Sequence, residues 1–139
     1  LVSKPRTRRT VAYINVPYCE TRCLYCLFYI KPYRNKEESK AFADTLIKEL
    51  QLWSDKPVQK GEPVHAVYFG GGTPTALEAC DIERIIKAVR RYLPLANDCE
   101  ITYEGRLSGF GTDKMEAALA GGAIRRFVRL SAAAQIRKP

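Results

Sequence analysis

No apolar run in this chain approaches the roughly 20 residues needed to cross a bilayer, so a membrane-spanning helix is not expected. The first ten residues, LVSKPRTRRT, hold nothing like the apolar stretch of a secretory signal. They also lack an initiator Met, which reads as a sign that the sequence is a piece of something longer. Five cysteines is an odd number, and without a secretory context a disulfide framework is not expected. Clustered thiols in a cytoplasmic setting point instead to metal or redox chemistry. No short-period repeat is present. A nucleic-acid groove, which interleaves basic and aromatic residues along a folded surface, is missing too. Lys4, Arg6, Arg8 and Arg9 at the front, with Arg125, Arg126, Arg129, Arg137 and Lys138 at the back, account for more than the whole net charge of +8. The stretch between them is nearly neutral, so no nucleic-acid role is expected.

What is there suits one modest soluble domain: 139 residues, 46% apolar and 27% charged. VAYINVP, from Val11 to Pro17, predicts a first strand that proline stops. Asn35 followed by Glu38 has the form of a capping box. Behind it Phe42, Ala43, Leu46, Ile47, Leu50 and Trp53 fall on one helical face. VHAVYF predicts a second strand running into GGGTPT. A helix starting at Asp81 carries Ile82, Ile85, Ile86 and Val89 on one side and ends at Pro94. CEITYE is a third strand. Thr112 or Asp113 is expected to cap a third helix bearing Met115, Ala118 and Leu119, before a weak strand over Phe127 to Leu130. Repeated βαβ units imply a parallel sheet with outer helices, open or curled into a barrel. The cysteine loop and the glycine loop both follow C-terminal strand ends, the edge where sites sit in either architecture.

The stretch YCETRCLYC puts Cys19, Cys23 and Cys26 in a C-x3-C-x2-C spacing. Structural zinc takes four closed ligands, yet no fourth thiol stands nearby. His65 or Cys80 would have to complete such a site, so a small zinc-binding module stays open as an alternative. A [4Fe–4S] cluster held by three thiolates keeps one iron without a protein ligand, and that iron can take a small molecule.

Three ordered blocks, YINVPYCETRCLYCLFY, AVYFGGGTPT and CEITYEGR, resemble the radical S-adenosylmethionine (SAM) superfamily. Within it they are most similar to the oxygen-independent coproporphyrinogen III oxidase-like (HemN/HemW) family. EGR is closer to the heme-utilisation branch, the HutW/ChuW-type proteins, than to the oxidase or heme-chaperone branches. The likeness covers Val11 to Gly122. It implies part of a radical SAM, TIM-like βα barrel of about three and a half βα units, with a basic extension over 1–10 and the core over 11–123. It also implies a [4Fe–4S] cluster on Cys19, Cys23 and Cys26, whose open iron chelates SAM and whose electron yields a 5′-deoxyadenosyl radical. Gly72 and Thr73 match the segment that holds the SAM amino group. Tyr13 matches a tyrosine beside the sulfonium, Tyr25 a position whose backbone meets adenine, and Glu104 a residue that contacts SAM. Arg106 reads as a branch marker or a surface residue, and Cys80 and Cys99 as buried or incidental thiols.

The implied function is tetrapyrrole chemistry in the cytoplasm, fed by a flavodoxin-like or other reductant. It is either anaerobic heme degradation by radical methyl transfer and ring opening, or coproporphyrinogen III oxidase-like chemistry. A non-catalytic heme-binding chaperone is the alternative from another class. Two features depart from the family pattern. Leu27 stands where the family often has glycine after the third cysteine. From Ile124 the chain reads IRRFVRLSAAAQIRKP where the family continues with a strand of the type NRFSLGVQSF, so 124–139 is expected to be an aberrant tail from truncation or frame change. A barrel cut there would leave a sheet edge unpaired, and the chain alone is expected to be marginally stable and inactive.

Overall fold

The computed structural model describes residues 3–106, 109–123 and 125–129, the last through their backbone. Strand β1 (Thr10–Val16) leads to two short paired segments, β2 (Tyr18–Cys19) and β3 (Lys31–Pro32), then helix α1 (Lys36–Ser54). Strand β4 (Val64–Gly71), helix α2 (Ala79–Tyr92), strand β5 (Leu95–Arg106), helix α3 (Thr112–Gly121) and strand β6 (Arg125–Arg129) follow. The main sheet runs β1-β4-β5-β6, every pair parallel. That is the three and a half βα units expected. The backbone of 125–129 continues the pattern into the stretch expected to be aberrant; Ile124 and 130–139 lie outside the described residues.

Alternation along the strands gives the sheet two faces. Ile14, Val16, Val67, Phe69, Ile101 and Tyr103 point to the helix layer and are buried with Ala43, Leu50, Ile82, Ile85, Ile86, Val89 and Ala118. On the opposite face the register aligns Tyr13 with Tyr68 and Thr102, and Asn15 with Gly70. Val11 and Tyr13 are exposed there.

The α1 cap is as expected at its core: the Glu38 amide donates to Asn35 Oδ1 at 3.0 Å. The return bond goes one residue further back, to the Arg34 amide. The isoleucine stripe of α2 is fully buried, but the helix begins two residues before Asp81. Asp81 does not cap its own helix because its carboxylate is used between helices. It accepts 2.8 Å bonds from Ser39 on α1 and from Arg84, and Arg84 also reaches Asp44. These donors make burial of a carboxylate tolerable. At α3 the N-cap is Gly111, without a side-chain cap bond, and Thr112 already belongs to the helix. Leu119 is 47% exposed, and Ala117 and Ala118 take the packing face.

The basic segment before β1 is not detached. The Arg6 amide donates to Lys60 O and the Glu62 amide to Arg6 O, which stitches it to the loop after α1. Among the described residues no helix is long and apolar enough to cross a membrane.

Candidate metal centre

The cysteine loop is built at the C-terminal edge of β1. Pro17 ends the strand, and the loop closes on itself where Lys31 N–H bonds to Pro17 O and Tyr33 N–H to Cys19 O, at 2.8 and 3.0 Å. Within it the Cys26 amide donates to Cys23 O at 3.0 Å, turning the chain between the last two thiols. The glycine segment after β4 meets this loop through its backbone. Gly72 N–H donates to Val16 O and Thr73 N–H to Tyr18 O, at 2.8 and 2.7 Å.

A cavity of about 280 Å³ opens at this edge. Cys19, Cys23, Tyr25 and Cys26 from the cysteine loop line it together with Gly72, Thr73, Glu104 and Arg106. The thiols differ in setting: Cys19 is buried, Cys23 and Cys26 half-buried. Burial pushes the Cys19 thiol up, while its 3.3 Å contact with Thr73 Oγ1 and the charge of Arg106 pull the other way. Glu104 is buried and accepts from the Tyr68 hydroxyl at 3.0 Å. Tyr13 stacks on Tyr68, ring centroids 5.9 Å apart; neither ring lines this cavity, and Tyr13 lines a separate one of about 870 Å³. A Cβ on Gly70 would lie 3.0 Å from the Tyr13 hydroxyl and 3.1 Å from Glu104 Oε2, so the bare glycine leaves room for both. Tyr25 is 61% exposed and Leu27 99%, and both stand at the lining of the cavity.

Seven of the eight residues singled out in the sequence therefore share one cavity, and Tyr13 lies outside it. The other expectations fall elsewhere. Cys80 is exposed on α2, Cys99 is buried in β5, and none of the five thiols is in a disulfide. His65 lies near the start of β4, about 20 Å along the strand from the glycine segment, with Nδ1 3.9 Å from Asp98. Neither His65 nor Cys80 completes a zinc site with the loop. Sequence reasoning missed Tyr68 and Thr75. Tyr68 becomes legible only once strand register pairs it with Tyr13. Thr75 supports β5 from the loop, its Oγ1 accepting from the Arg106 amide at 3.3 Å.

Among the described residues no three His, Cys, Asp or Glu side chains converge tightly enough to hold a single ion. The three thiols line one cavity instead, and sulfur donors of this kind are those that hold iron–sulfur clusters or zinc.

At Gly72 the two loops are in close contact. A Cβ there would lie 2.6 Å from Tyr18 O and 2.9 Å from the Pro17 carbonyl carbon, both backbone atoms that cannot swing aside. Gly72→Ala is expected to cost about 1–3 kcal/mol of stability, as overpacking does, and to part the Thr73–Tyr18 bond. Chemical denaturation and thiol accessibility at Cys19 check this.

The parallel sheet thus brings three thiols, a glycine turn and a buried carboxylate to one edge, as the resemblance to radical SAM proteins implies. The comparisons agree. No protein-family model matches the chain. It is 44% identical over 118 residues to the anaerobilin synthase of Escherichia coli O157:H7, covering 85% of this chain and 26% of that protein. It is 36% identical over 108 residues to the heme chaperone HemW of Synechocystis, covering 68% of this chain and 23% of that one. Its fold matches the solved structure of Escherichia coli coproporphyrinogen III oxidase (HemN), described as a radical SAM enzyme, with a TM-score of 0.73 and 27% identity. That match covers 85% of this chain and 27% of the other. The chain is thus a homologue of the oxygen-independent coproporphyrinogen III oxidase-like radical SAM proteins, and it spans about a quarter of the length of the relatives it matches.

Proposed function

We propose that this chain carries the cluster and SAM site of a radical SAM enzyme that acts on a tetrapyrrole. The observation that carries the reading is the one cavity that Cys19, Cys23 and Cys26 line together with Gly72, Thr73 and Glu104. Cys19, Cys23 and Cys26 would hold a [4Fe–4S] cluster by three thiolates. When bound, the cluster and SAM together supply one-electron cleavage of a sulfonium and so a carbon radical.

The chain's own residues bind and orient. Thr73 holds Cys19 in place, the backbone of Gly72 and Thr73 borders the cavity, and Glu104 presents a carboxylate suited to an ammonium group. Tyr68 fixes that carboxylate, and Tyr13 packs behind Tyr68. The backbone of Tyr25, at the cavity lining, is the part that would meet an adenine.

The similarity to an anaerobilin synthase, the relative with the higher identity of the two, supports heme breakdown under anaerobic conditions as the overall reaction. Coproporphyrinogen III oxidase-like chemistry is the related option. A cytoplasmic setting with a flavodoxin-like or other reductant is part of this proposal, which the free thiols of the buried Cys19 and the half-buried Cys23 and Cys26 support. A second reading, non-catalytic heme binding, is favoured by the similarity to HemW.

Anaerobic reconstitution of the chain tests the proposal. The expected result is a brown protein with about four irons and four sulfides, the content of the cubane, whose reduced EPR signal changes when SAM is added. A protein that takes up no cluster, or a cluster blind to SAM, would overturn it. Heme bound stably while SAM and reductant leave no 5′-deoxyadenosine would favour the chaperone reading.

A further inference from the structure

Arg106 ends β5 beside the cavity, and its side chain connects parts of the site that no strand joins. Its Nη1 donates to Thr21 Oγ1, between the first and second cysteines, at 2.6 Å. Its backbone amide is held by Thr75 in the segment after the glycines. Its Nε is buried and has no hydrogen-bond partner among the described residues. A guanidinium is charged at any working pH and presents donors in a fixed fork. Leaving one buried donor unpaired is costly, so its neighbourhood suits an anionic occupant of the cavity that Arg106 lines.

We propose that Arg106 is the positioning residue of the cysteine loop, tying Thr21 to the end of β5 and holding a fixed positive charge against the iron–sulfur cluster. The inference rests on the cluster assigned above. Thiolate-bound clusters become more negative on reduction, and nearby charge and hydrogen bonds set their potentials. A guanidinium at this place favours the reduced state. It also keeps the loop from opening, which slows loss of iron.

The test compares Arg106→Gln, Arg106→Lys and Thr21→Val in the full chain, reconstituted anaerobically. It reads cluster content, the rate of iron loss to a chelator, circular dichroism, and the midpoint potential by EPR-monitored titration. Arg106→Gln is expected to lower the potential and to speed iron loss several-fold. Arg106→Lys keeps the charge, so its potential stays near wild type while iron loss quickens. Thr21→Val, which removes only the tie, behaves like the lysine variant. An Arg106→Gln protein with wild-type potential and wild-type iron loss overturns the inference, as does a lysine variant shifted as far as the glutamine one. Should Arg106→Gln fail to fold, wild-type iron loss in both other variants overturns it. Wild-type chain without any cluster overturns the proposed function and this inference with it, whereas clusters indistinguishable across all variants overturn this inference alone.

Discussion

Serine in place of Cys19, Cys23 or Cys26 is expected to leave a colourless protein after anaerobic reconstitution, with iron falling from about four per chain to background. Three sulfur ligands already leave one iron of a cubane without a protein donor, so losing another removes the hold on a second corner. Serine is nearly isosteric but its hydroxyl is a far poorer ligand for iron than a thiolate. The three positions are expected to differ in folding while agreeing in colour. Cys19 is buried against Thr73, and serine there keeps a hydrogen bond to the threonine, so the loop survives. Cys23 and Cys26 are half-buried, and their replacement barely touches stability. Circular dichroism with iron and sulfide analysis checks both halves. A serine variant that keeps a full cluster would show that its cysteine is not a ligand.

Phe69→Ala is expected to be the most damaging change to the fold. Phe69 sits on central strand β4 with none of its surface exposed, and its ring lies 5.0 Å from that of Tyr103. Truncating a buried phenylalanine costs about 3–5 kcal/mol through lost transfer energy and the cavity left behind. Whole domains hold only about 5–15 kcal/mol, and one face of this sheet is exposed at Val11 and Tyr13. The denaturation midpoint should therefore collapse or the protein fail to accumulate folded. The damage reaches the site, because the Tyr103 hydroxyl donates to Pro74 O at 2.8 Å, directly after Thr73. A loss below about 1 kcal/mol in urea unfolding would contradict this packing account. Leu27→Ala, at a side chain 99% exposed, is the matched control and should stay within about 0.5 kcal/mol of wild type.

The parts of the fold legible in the sequence were those governed by local periodicity. The stripe Ile82, Ile85, Ile86 and Val89 needs only helical spacing to be recognised, and Asn35 with Glu38 needs only a three-residue interval. Leu119 misled because α3 is short and rich in alanine, so small side chains pack as well as a large one. In the helix layer α3 lies beside α2, and an added Cβ on Gly121 would come within 2.7 Å of Ile86. Ser39 was invisible for a different reason. Ser39 extends the stripe of Phe42, Ala43 and Leu46, but its hydroxyl becomes core only because it donates to Asp81, forty-two residues away, and accepts from the Glu78 amide. The site divides in the same way. The cysteine spacing and the glycine run are local patterns, and they were read directly. The Tyr13–Tyr68 stack and the Arg106–Thr21 tie depend on which strands lie side by side, which no single stretch of sequence encodes.

The closure of the cysteine loop at its own base has an evolutionary consequence. Pro17 and Lys31 meet, as do Cys19 and Tyr33, so the intervening residues leave the scaffold and return to it at nearly one place. Changes of length between those anchors that spare Thr21, Cys23 and Cys26 need not disturb strand spacing or helix packing. Such a noose can drift in its remaining positions while the scaffold beneath keeps its sequence.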